Sequence, residues 1–192
     1  MADTTQVSYR GAQPGGSMSF EKRVASVHPA LLTTIAIAGS LFFGVFTSKV
    51  DDPFAYRALV AIAFFAFIAL GFLWFWSIYA LATSRLGVPA SWSIAFVLTP
   101  LVLAACKLLF GDDAASNENL PSMALRFAGG VLFIGCVWKA AEAFEIALCG
   151  KGVSVRKVAG TATLFFSIVG AWTLRERILT LVARSADTAQ EA

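Results

Sequence analysis

Three charged residues stand in a largely apolar stretch: Lys139, Glu142 and Glu145, spaced i, i+3 and i+6. On an α-helix they fan over one face about 120° wide. A charge inside a bilayer costs roughly 2.5–3.5 kcal/mol on insertion scales, so such residues should face a bundle interior or a cavity and pair. Lys139 and Glu142 are the natural pair. Glu145 then has no assigned partner, and an unpaired acid could couple a proton, bind a cation or meet a basic residue on a neighbouring chain. A competing reading ends the span at Trp138, with Arg126 snorkelling at the other end. Residues 139–148 then continue as an amphipathic interfacial segment with Ala140, Phe144, Ala147 and Leu148 in lipid.

Other chemistry is sparse. His28 is the only histidine, so the chain has no two-histidine haem site and no multi-histidine metal site of its own. It reads as a cap or headgroup contact. Cys106, Cys136 and Cys149 form no CxxC and read as small apolar helix residues. No GxSxG, GxGxxG or P-loop occurs. No catalytic residue, cofactor or metal is expected. The acidic loop around Asp112 and Asp113 reads as a solvated connection, with a weak cation site as the alternative. The basic residues are dispersed and the net charge is only +3, which gives no argument for a nucleic-acid partner.

The elements that must position these residues follow from composition. The 192 residues are 58% hydrophobic and 14% charged, against about 45–50% and 25% in a soluble domain. Too few charges remain to cover a water-facing surface. This excludes a soluble enzyme, a nucleic-acid-binding domain and a disordered regulator, and leaves an integral membrane protein. Charge-free gaps predict helices over 29–47, 53–83, 89–110, 123–148 and 158–181. Most of these gaps are long enough to cross about 30 Å of hydrocarbon, the last being the shortest. The expected fold is therefore an all-α bundle of five transmembrane helices, or four plus an interfacial helix. Residues 1–18 read as a disordered polar tail with no signal-peptide core, 19–184 as a single transmembrane domain and 185–192 as a flexible tail.

Local signals set the boundaries. Asp52-Pro53 is an N-cap followed by proline at the first helical position, and His28-Pro29 and Val88-Pro89 carry proline similarly. Trp74, Trp76, Tyr79 and Trp92 flank a tight hairpin ending at Gly87 and read as an interfacial belt. Pro100 falls mid-span and is expected to kink its helix. Small residues let helices approach closely: Ala36, Ser40 and Gly44 on the first helix, Gly130 and Gly135 on the fourth, Ser167 and Ala171 on the fifth. Phe64, Phe65, Phe67, Phe72 and Phe75 surround the second helix, which should face lipid or an apolar partner.

With five spans the basic residues divide equally between the two sides, so the positive-inside rule is tied. It is broken only by Arg10, Lys22 and Arg23 ahead of the first span against Lys49 and Arg57 after it. The expectation is a bacterial inner membrane with a cytoplasmic N-terminus. The expected function is a non-enzymatic accessory, scaffold or anchoring subunit. Its partners would be the lipid bilayer and other membrane subunits or copies of itself. The alternative is a small oligomeric transporter or channel using Lys139, Glu142 and Glu145 as a polar path.

Overall fold

The structure, a computed structural model, describes residues 20–28, 52–110, 120–150, 152–165 and 168–188, with residues 31, 34, 35, 37–39, 41 and 45. Every element among them is an α-helix: α1 (Phe20–Ala25), α2 (Pro53–Leu86), α3 (Ser93–Phe110), α4 (Leu120–Cys149), α5 (Val155–Phe165) and α6 (Ile168–Thr188). The described positions between 31 and 45 are helical too. Ala36, Ser40, Gly44 and Ser167 lie outside the described residues.

Capping explains the limits of α2. The Asp52 carboxylate accepts the Phe54 N–H at 2.9 Å, with Pro53 in the first turn where a missing N–H costs nothing. Gly87 ends the helix at φ 65°, a left-handed conformation that glycine adopts without strain, and the Val88 N–H returns to the Thr83 carbonyl. α3 begins at Ser93 rather than at 89. The intervening N–H groups are used elsewhere: Ser91 donates to the Pro89 carbonyl at 2.9 Å and Trp92 to the Tyr79 hydroxyl at 3.3 Å. α3 then runs through Pro100 to Phe110 as one helix.

Helices α2, α3 and α4 form an antiparallel three-helix unit. Glycine sets the α3–α4 approach at two places. A Cβ on Gly129 would stand 3.0 Å from a Leu103 methyl, and one on Gly135 would stand 3.1 Å from the Trp92 ring. Gly130, which the sequence pairs with Gly135, has open space instead.

The carboxyl-terminal segment corrects the expectation of one helix over 158–181. It is two helices, with Val155–Phe165 and Gly170–Ala183 bent by 116°. A Cβ on Gly170 would run into the Leu164 carbonyl, so the bend relies on a residue without a side chain. α5 packs along α4, and α6 lies against α2, α4 and α1. Among the described residues one helix, Phe54–Leu86, is long and apolar enough to cross a membrane.

The bundle has two unlike ends. At one, Phe72, Phe75, Ile78, Phe96, Phe144 and Phe165 form a core closed by Leu174 and Leu181 of α6. Aromatic edges lock it: Phe165 lies 5.7 Å from Trp74, 5.5 Å from Phe75 and 6.1 Å from Phe144. Trp74 and Tyr79 belong to this core rather than to an outward belt, because α1, α5 and α6 cover that end. Ala140, Phe144 and Ala147 are likewise buried in protein, not placed in lipid as an interfacial helix would require. At the other end apolar side chains point outward, among them Phe54, Ile62 and Phe67 on α2, Leu101 and Leu109 on α3, and Phe127 and Val131 on α4.

Candidate functional site

The three charges of α4 separate in the fold. Their 120° fan is wide enough for one edge to enter the core while the other stays outside. Lys139 and Glu142 form an ion pair at 2.6 Å with both side chains more than a third exposed. Glu145 is fully buried between α5 and α6.

Glu145 is not unpartnered. Arg177 of α6 places one guanidinium nitrogen 2.7 Å from Oε1 and 2.8 Å from Oε2. The Thr161 hydroxyl of α5 donates to Oε1, and the Lys157 ammonium stands 3.4 Å from Oε2. A buried carboxylate persists only when its charge is offset and its lone pairs are occupied. Both conditions hold here. Arg177 also lies over the Phe144 ring, 5.2 Å from its centre, a cation–π contact that orients the guanidinium.

The rim of the cluster is more open. Lys157 donates to the Cys149 sulfur at 2.9 Å and has a half-exposed side chain. That hydrogen bond, followed by the Glu145 charge, raises the Lys157 pKa above the ordinary lysine value. The network therefore ties the last turn of α4 to the first turn of α5 and to the middle of α6. Its chemistry is that of a clasp: a saturated carboxylate with two cations. The carboxylate itself is not a free base, and the one nucleophile at the cluster is the exposed Cys149 thiol on its rim. No group of three or more His, Cys, Asp or Glu able to hold a metal occurs among the described residues.

The remaining singled-out residues serve packing. Gly135 admits Trp92, and Ala171 is half-buried beside a shallow cleft lined also by Ala25, Trp74 and Arg175. Beside Pro100, the Thr99 hydroxyl donates to the Ala95 carbonyl at 2.7 Å and approaches the Cys136 sulfur at 3.5 Å. Sequence reasoning missed Arg177 and Thr161. The available signal was indirect: an acid placed in an apolar segment demands a base, but many basic residues could have supplied it. Comparison with family models, with curated proteins and with solved structures gives no match.

Proposed function

We propose that this chain is a non-enzymatic accessory, scaffold or anchoring subunit of a membrane protein assembly, set in a bacterial inner membrane with its N-terminus in the cytoplasm. The observation that carries this reading is the outward apolar half of α2–α4. Ile62, Phe127 and Ile134 are each more than 60% exposed, together with many large apolar neighbours. In water so extended an apolar surface would associate, whereas in a bilayer acyl chains cover it. In this reading four segments cross: the one over 29–47, then α2, α3 and α4. The bent pair α5–α6 does not.

The transport alternative draws on Lys139, Glu142 and Glu145 as a path. The clasp weakens it, since Glu145 is closed off by Arg177, Thr161 and Lys157. An ion path would need that carboxylate reachable from both sides.

Affinity purification in a mild detergent tests the scaffold reading. A membrane protein or further copies of the chain should co-purify in fixed ratio. A solitary monomer, or reconstituted flux abolished by Glu145→Gln with assembly intact, contradicts it.

A further inference from the structure

The end of the bundle that carries the clasp also carries a concentration of positive charge. Lys22 and Arg23 lie on α1, Arg85 at the end of α2, and Lys139 on α4. Arg156 and Lys157 lie on α5, and Arg175 and Arg177 on α6. The acids described there are Glu21, Glu142, Glu145 and Glu176, so cations outnumber carboxylates. Arg85 has an Nη1 atom enclosed with no hydrogen-bond partner.

The bend between α5 and α6 creates this surplus. A single helix over 158–181 would carry Arg175 and Arg177 to the far side of a membrane. Instead Arg177 and Lys157 share the Glu145 carboxylate, which puts all three at one end. α5 has 11 residues and rises about 16 Å, roughly half the hydrocarbon thickness. α6 buries Leu174, Ile178 and Leu181 and turns Trp172, Thr173, Glu176 and Thr180 outward. A face of polar residues with one indole suits the headgroup region rather than the acyl chains.

We propose that this basic end is a docking surface for the anionic headgroups of one membrane leaflet. The proposal rests on the membrane reading above and adds the lipid class and the side. Continuity with the apolar half favours lipid over a soluble acidic partner. Apart from Leu86 at the basic end, the exposed apolar positions run from Phe54 to Leu70 on α2 and from Ile94 to Leu109 on α3, about 22–24 Å of helix. Acyl chains covering them bring phosphates to the level where α1, α5 and α6 begin. With four crossings, the chain before the first span and the whole of α5–α6 share this side. The positive-inside tie is then broken toward a cytoplasmic basic end.

Native mass spectrometry of the full chain, released from micelles doped with phosphatidylglycerol or phosphatidylcholine, tests the lipid class. Retention should favour phosphatidylglycerol. Arg23→Gln and Arg156→Gln, two exposed positions outside the clasp, should each weaken it roughly fivefold. Arg57→Gln, at the opposite end, should weaken it less. Equal retention of both lipids, or equal loss from Arg57→Gln, overturns the proposal. Circular dichroism confirms that each variant keeps its helices. The exposed native Cys149 reads the side. A membrane-impermeant maleimide should label it in inverted vesicles and not in right-side-out ones; the reverse overturns the proposal. Extraction of the chain by alkaline carbonate would instead defeat the membrane reading on which it rests.

Discussion

Ile62 and Ile78 are the same residue on the same apolar helix, yet Ile62 is 64% exposed and Ile78 fully buried. The first belongs to the open half of the bundle, the second to the end closed by α1, α5 and α6. None of α1, α5 and α6 covers the open half, and large apolar residues such as Ile62, Phe127 and Val131 stay exposed there. The closed end is organised like the interior of a soluble domain, with interlocked aromatic rings, helices brought together at glycine and a carboxylate enclosed by its partners. In the membrane reading proposed above, the two halves meet different surroundings: acyl chains on one, headgroups and water on the other.

Substitutions that remove volume should divide the halves most sharply. Phe144→Ala removes a ring packed against Phe165 and beneath Arg177, and should cost about 3–5 kcal/mol. Ile62→Ala should cost under about 0.5 kcal/mol. Thermal unfolding in detergent, followed by circular dichroism, measures both, and similar losses would erase the distinction. Next is the clasp. Arg177→Met leaves Glu145 enclosed with Thr161 and Lys157 only. Because Arg177 is about a third exposed, the loss should be roughly 2–3 kcal/mol, below that of a fully enclosed pair.

Helix approach gives opposite signs at neighbouring glycines. Gly135→Val drives methyl groups toward the Trp92 ring and should cost about 1–3 kcal/mol. Gly130→Ala meets nothing within 4 Å and should gain about 0.5–1 kcal/mol from helix propensity. Loss at both positions would mean that α3 and α4 approach along a different line. The smallest effect concerns pH. The Lys157 pKa is raised by folding, so its contribution is fully present below the ordinary lysine value of 10.5 and is lost as pH rises through the higher folded value. Lys157→Met should flatten that alkaline decline in a pH series of melting temperatures.

Features governed by neighbours in sequence were legible beforehand. The Asp52-Pro53 cap and the Gly87 turn depend on a few adjacent residues, and the Lys139–Glu142 pair needs only one helical turn. The Glu145–Arg177 contact was not legible, because it spans 32 positions and exists only where α6 folds back on α4. The bend itself depends on Gly170 meeting the Leu164 backbone six residues earlier, and a lone glycine in an apolar run does not announce a bend. Gly129 was passed over for Gly130 because small residues mark a face without saying which of two adjacent positions points along it. Hydrophobicity alone could not distinguish Ile62 from Ile78, since lipid and a protein core reward the same side chain.

The division between the halves is tested most directly by nitroxide accessibility in a reconstituted bilayer. Labels would be placed at Ile62→Cys and Val131→Cys, and at native Cys149, each in a chain whose other native cysteines are replaced by alanine. The account predicts that the labels at 62 and 131 collide with dissolved oxygen and are shielded from a water-soluble nickel chelate, while the label at Cys149 shows the opposite preference. The same preference at all three positions, or chelate access at 62 and 131, would contradict it.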